Sequence, residues 1–197
     1  RPDFFIHCGD HIYADCPIHG RQSLPNGEVW NNVVTEEKSK AAETLAEFRG
    51  NYKYNLLDRN LRAFHAEIPV FAQWDDHEVT NDFAGGAPAG SDPRFDLAGA
   101  FLNETQFFNN GLQVFQEYNP IRDEFYGETG DPRTAEKRKL YRFRTFGNDA
   151  AFILLDARSF RDEELPSEFN PFVRRFAEEF IADSFDPTRT MLSDVQL

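Results

Sequence analysis

Two apolar stretches, each ending in a cluster of acids and separated by helix-forming sequence, constrain this chain more than any other feature. Asp3-Phe4-Phe5-Ile6 leads into Gly9-Asp10-His11-Ile12-Tyr13. Ile68-Pro69-Val70-Phe71-Ala72-Gln73-Trp74 leads into Asp75-Asp76-His77-Glu78. Residues 3–8 and 68–74 read as buried strands, and the sequence between them reads as helix. Strand, helix and strand make a crossover unit, which is right-handed in nearly all cases and renders the two strands parallel. Both acidic clusters then emerge at one edge of the sheet, where open α/β folds bind ligands.

The intervening helix is expected to begin after Thr35, with Glu36 and Glu37 in its first turn. Ala41, Leu45, Phe48 and Tyr52 follow at helical spacing. Gly50-Asn51 weakens the middle and divides the stretch into two helices. The second should bury Leu57, Leu61 and Phe64 and leave Arg62 in solvent. Before it, Pro25-Asn26-Gly27 marks a tight turn within residues 14–34.

Residues 84–93 read as a flexible Gly/Ala/Pro loop, either a lid or an inert linker, the linker being favoured. Phe101, Phe108, Leu112 and Phe115 mark a long helix ending before Pro120. Residues 122–139 are charged and irregular. Leu140–Phe146 and Ala151–Leu155 read as a hairpin on the sheet, turned at Gly147-Asn148-Asp149. Asn170-Pro171 is expected to open a short helix burying Phe172, Phe176 and Phe180. Ser193-Asp194-Val195-Gln196 matches a capping box, so a helix is expected to start there and both ends of the chain look cut.

Composition narrows the function. The chain has 197 residues, 40% hydrophobic and with 21 phenylalanines, enough for a packed core rather than disorder. Its formal net charge of −13 disfavours nucleic acid or an anionic membrane surface as partner. An anionic small substrate stays compatible, because bound cations invert the local sign of a site. No run reaches the roughly 20 apolar residues of a membrane span. Cys8 and Cys16 are too few for a disulfide framework, and Cys8 reads as a small core residue inside the first strand.

The two clusters carry the chemistry. Gly9 permits a sharp turn, and Asp10 offers two oxygens able to bridge cations. Tyr13 supplies a phenolic oxygen, a hard ligand once deprotonated. Asp75, Asp76, His77 and Glu78 place three carboxylates and an imidazole together. Their mutual repulsion calls for a neutralising partner, a metal or an arginine, with Arg158 as an available arginine. Asn81 adds an oxygen within reach. His11 and His19 read as plain loop histidines. His65 sits near a helix C-terminus, which favours a cation.

Three stretches, Phe-Ile-His-Cys-Gly-Asp-His-Ile-Tyr-Ala-Asp, Gln-Trp-Asp-Asp-His-Glu-Val-Thr-Asn and Leu-Leu-Asp-Ala-Arg-Ser-Phe-Arg, resemble the PhoD-like alkaline phosphatases, a family of metallophosphatases. The resemblance runs in order along the whole chain. It implies an α/β fold, a metallophosphatase-like layered sheet sandwich flanked by helices and incomplete at both ends, with residues 1–197 the central part of one catalytic domain. It implies Fe3+ and Ca2+ as cofactors and a small-molecule phosphate ester, monoester or diester, as substrate. Asp10 would bridge the metals and Tyr13 bind iron; Asp76 and Asn81 compete for the second cation. His77 would assist the leaving group as hydroxide held between the cations attacks phosphorus in line. Asp75 and Glu78 would support these residues from behind, and Arg158 would contact the phosphoryl oxygens.

The resemblance also implies export, secreted or periplasmic, for the complete protein. It places an upstream cysteine ligand before residue 1 and further Asp and His ligands after residue 197, so this chain alone is expected to be inactive. The rival from another class is a non-catalytic acidic domain that binds calcium for stability. The sequence leaves oligomeric state open.

Overall fold

The computed structural model describes residues 2–91, 93–95, 99–165 and 182–196. The chain divides into two compact units, Arg1–Phe83 with Thr105–Arg122, and Ala84–Glu104 with Asp123–Leu197. Among the described residues the fold is mixed α/β, with small sheets and helices.

In the first unit, strands β1 (Phe5–Cys8) and β4 (Val70–Gln73) pair in parallel, Phe5 opposite Val70 and Cys8 opposite Gln73. The crossover expectation holds: both acidic clusters leave the same end of this pair. The strands are less buried than expected. Phe5 is 43% exposed, and Cys8 is an exposed free thiol rather than a core residue. Among the described residues this sheet has two strands. Strands β2 (Arg21–Ser23) and β3 (Val29–Asn31) form the hairpin around Pro25-Asn26-Gly27.

Helix α1 spans Leu45–Asn55, nine residues later than expected at its start. Thr44 is the N-cap: its hydroxyl accepts from the Glu47 amide, while the Glu47 carboxylate accepts from the Thr44 amide. This capping box needs an acid three residues after the cap. Thr35 has Lys38 there instead, and residues 35–39 close only a turn, with Ser39 N–H donating to the Thr35 carbonyl. Helix α2 (Arg59–Glu67) is capped by the Asp58 carboxylate. It buries less than expected, because Leu57 lies before it and is 53% exposed, and Leu61 and Phe64 are only half-buried. Arg62 is exposed, as expected, and donates to the Leu56 and Leu57 carbonyls that end α1.

Helix α3 (Gln106–Tyr118) begins at the Thr105 cap, so Phe101 falls outside it. Its apolar face meets α1 in a core of Ile12, Ala14, Ala42, Phe48, Tyr52 and Val114. Trp74, at the end of β4, packs edge-on to Phe108 with ring centroids 5.5 Å apart. The loops after β1 and β4 thus rest on packed aromatic side chains.

In the second unit, β5 (Arg142–Phe146) and β6 (Ala150–Leu154) form the expected hairpin. It makes its own two-stranded sheet instead of extending β1–β4, and of β6 only Leu154 is buried. Residues 84–87 are buried rather than a flexible linker. Gly85 N–H donates to the Arg158 carbonyl (2.8 Å) and Gly86 N–H to the Arg161 carbonyl (2.9 Å). The expected capping box at Ser193 does not form. Ser193 is left-handed (φ 61°), and the Gln196 side chain instead pairs with both backbone groups of Asp156 at 2.9 Å. The helix expected after Asn170 lies outside the described residues. No described helix is long and apolar enough to cross a membrane.

Candidate functional site

The chain leaves β1 through two residues in the left-handed region, Gly9 (φ 103°) and Asp10 (φ 54°). Glycine adopts this without cost; aspartate is among the few other residues that tolerate it. The reversal aims Asp10 across the end of the sheet. A Cβ on Gly9 would lie 2.4 Å from the Asp75 Cβ, so the loop after β1 rests directly on the loop after β4.

Glu78 ties the two loops together. It is fully buried, and its carboxylate accepts from the Asp75 amide (2.7 Å) and from the His11 amide. Burial pushes its pKa up to about 7, against the pull of those backbone donors. His11 is more than a loop histidine: its ring stacks on His7 at 3.7 Å and its Nε2 lies 3.2 Å from the Gln73 carbonyl. Burial, reinforced by His7, pushes it down to about 3, so it packs as a neutral ring.

Within this frame Asp10, Asp76 and His77 converge, with one potential ligand atom from each lying within 4.8 Å of the others. Asp76 is buried, and its Oδ2 accepts from the Asp82 amide at 2.6 Å. Asp10 Oδ2 accepts from the Tyr13 hydroxyl at 3.0 Å, while Asp10 Oδ1 is buried without any hydrogen-bond donor. A buried carboxylate oxygen without a donor is costly, and a cation beside it removes the cost. The donor set of carboxylates, imidazole and a nearby phenol suits a hard cation. Tyr13 is half exposed and its ring lies 4.3 Å from that of His77. The bond it donates to Asp10, with the Asp10 charge, raises its pKa.

Asp15 is the residue that sequence reasoning missed. Its Oδ1 lies 2.7 Å from His77 Nδ1, and its Oδ2 accepts from the Asn81 amide at 2.8 Å. Burial opposes charge on His77, but the Asp15 bond and the charges of Asp15, Asp76 and Asp10 outweigh it, so the imidazole pKa is raised. Asp15 is likewise penalised by burial, yet His77 and the Asn81 amide hold it below the usual carboxylate range. The available signal was its place in the loop carrying Asp10 and Tyr13; the pairing with His77 bridges 62 residues and has no sequence periodicity. Asp15, Cys16 and His77 form a second group with mutually close ligand atoms.

The remaining expected residues fall as follows. Asn81 is exposed, and its side-chain amide donates to Asp82. His19 is exposed and His65 lies in the last turn of α2. Arg158 belongs to the second unit, where its amide donates to Asp156 Oδ1 at 3.2 Å.

Comparison with known proteins gives the same direction. A profile of the PhoD-like phosphatase family matches residues 1–197. The chain is 29% identical over 194 residues to alkaline phosphatase D of Bacillus subtilis (strain 168), covering 98% of this chain and 29% of that protein. It is similar to a solved structure of PhoD with a TM-score of 0.66 and 28% identity, covering 100% of this chain and 32% of that one. The chain thus spans under a third of either relative's length. With the motifs in order, both clusters at one sheet edge and a match along its whole length, the chain belongs to the PhoD-like phosphatase family.

Proposed function

We propose that this chain is the central part of a metallophosphatase catalytic domain that hydrolyses phosphate esters. The observation that carries the reading is the convergence of Asp10, Asp76 and His77 around a buried Asp10 oxygen that lacks a donor. Asp10 would bridge two cations, and buried Asp76 is favoured over exposed Asn81 as a ligand of the second. Tyr13 would supply its oxygen to the first cation on losing the hydroxyl proton it now donates to Asp10. Family resemblance names the pair as Fe3+ and Ca2+. When bound, such ions supply Lewis acidity and offset phosphoryl charge.

The chain's own residues do the rest. His77, its pKa raised by the Asp15 hydrogen bond against the pull of burial, would give a proton to the leaving oxygen. Asp15 fixes the ring through Nδ1, which leaves Nε2 to face the ester. Glu78 holds the loops of Asp10 and Asp76 in register. Arg158 as a phosphoryl contact, monoester against diester preference, and export of the complete protein are proposed from family resemblance, and the geometric argument uses none of them.

The test is His77→Ala in the complete protein, assayed with a chromogenic phosphate ester and by elemental analysis. Turnover is expected to fall by about 10² or more with metal content near normal. Full activity in the variant removes the role of His77. Calcium-raised melting with no hydrolysis by the unmodified protein favours the non-catalytic calcium-binding reading.

A further inference from the structure

Lys38 is 5% exposed, and lysine is rarely buried to that extent unless its charge is partnered. An ammonium carries three donors. All three are matched here, by the Tyr13 carbonyl (2.5 Å), the Cys16 carbonyl (2.8 Å) and Asn51 Oδ1 (2.9 Å). Asn51 is itself buried in α1, and its Nδ2 donates to the Glu47 carbonyl at 3.0 Å. The ammonium therefore joins both ends of the tight turn at residues 13–16 to a helix that is part of the core. The Cys16 amide also donates to the Tyr13 carbonyl (3.2 Å), closing that turn.

The turn carries Tyr13, which meets Asp10, and Asp15, which meets His77. Its other ties hold the middle: Ala14 N–H donates to the His77 carbonyl (2.9 Å) and the Ala14 carbonyl accepts from Ala42 N–H (2.8 Å). The directions of the side chains on either side of Ala14 depend in part on how the Tyr13 and Cys16 carbonyls are held. Lys38 holds both.

We propose that Lys38 is a positioning residue for the reaction: its buried ammonium clamps the 13–16 turn to α1 and so sets Asp15 against His77 and Tyr13 against Asp10. The proposal rests on the metallophosphatase reading for its effect on chemistry, and on Lys38's own contacts for the clamp. A methionine at this position would fill much of the volume and supply none of the three donors. Groups that orient ligands from behind typically change metal affinity or activity by about 10–100-fold when removed.

The experiment compares Lys38→Met with Phe48→Leu in the complete protein. Phe48 is a core residue of α1 that makes none of these polar contacts, so it controls for general loss of stability. Three readouts are taken: hydrogen exchange over residues 13–18, calcium affinity by calorimetry, and kcat and KM separately. Lys38→Met is expected to speed exchange in that segment, weaken calcium binding by roughly 10–100-fold and lower kcat more than KM. Phe48→Leu is expected to lower the melting temperature and leave calcium affinity unchanged. Wild-type exchange and affinity in Lys38→Met overturn the clamp, as do equal losses of affinity in both variants. If Lys38→Met does not fold, Lys38→Gln, which keeps an amide donor, is read against the same control. If the unmodified protein neither binds calcium nor hydrolyses esters, the metallophosphatase reading fails; the exchange comparison then decides the clamp alone, with faster exchange supporting it and unchanged exchange overturning it.

Discussion

The β5–β6 hairpin is closed by three residues, Gly147 to Asp149, whereas β1 and β4 pair Phe5 with Val70 across most of the first unit. The hairpin is held by its own ladder and leaves Phe143 and Ile153, directly opposed, 50% and 59% exposed. The loops after β1 and β4 contain short turns, closed by Cys16 N–H to the Tyr13 carbonyl and by Thr80 N–H to the Asp76 carbonyl, but their joining depends on contacts between them. They are held by Glu78 accepting from both, by Asp15 reaching His77, and by Ala14 donating to His77. The difference teaches where precision comes from. Local pairing tolerates change because each bond depends on near neighbours; a site assembled from distant segments depends on a few buried polar groups, each expensive to lose.

A matched pair of glycine substitutions should expose this contrast most strongly. Gly9→Ala adds a Cβ 2.4 Å from the Asp75 Cβ at φ 103°. It should cost about 3 kcal/mol or more and abolish metal binding. Gly147→Ala, at φ 56° with open space around it, should cost only about 1–2 kcal/mol. Denaturant unfolding of the two variants measures both. Equal losses would mean that the 9–15 and 75–82 loops are no more tightly determined than the hairpin turn.

Asp15→Asn comes next. It keeps the shape beside His77 and removes the charge, so turnover of the complete protein should fall about 10–100-fold. The His77 pKa, raised in part by Asp15, should move down. If the protonated ring is the working form, the alkaline limb of the pH–rate profile then shifts to lower pH. An unmoved limb with lower activity would limit Asp15 to a structural role.

A smaller effect is expected at the α1 cap. Burial works against charge on Glu47, but Lys40 and the Glu43 and Thr44 amides hold it down at about 2. A depressed carboxylate stabilises above its unfolded value near 4.5 and loses that contribution as pH falls toward 2. Glu47→Gln should therefore cost about 1 kcal/mol or less at neutral pH and flatten acid unfolding in that window. Thermal melts at pH 7 and pH 3 test the sign. Smallest of all, Phe143→Thr on the exposed hairpin face should stay within about 0.5 kcal/mol, and a much larger loss would show that this face is covered in the complete protein.

The limits of sequence reading follow the same division. The Asn26-Gly27 turn, the hairpin at Gly147 and the α3 stripe of Phe108, Leu112 and Phe115 were legible because their signals lie within a few residues. The start of α1 was legible in principle, through Thr44 and Glu47, but the acids after Thr35 drew the reading to the wrong cap. Residues 84–93 looked like a linker because glycine and alanine are common to flexible chain and to tight packing. Composition cannot tell these apart; the Arg158 and Arg161 carbonyls do.

By itself the sequence determined the period of each element, the acids that end β1 and β4, and, through parallel pairing, their meeting at one sheet edge. Strand and crossover geometry are properties of short segments and of chirality, so they can be read along the chain. Only the tertiary structure decided that Asp15 holds His77, that Glu78 is buried between the loops, and that Lys38 spends its charge on the turn at residues 13–16. Those outcomes depend on burial and on hydrogen bonds between residues far apart in sequence. The desolvation that gives such bonds their weight exists only after the chain has folded.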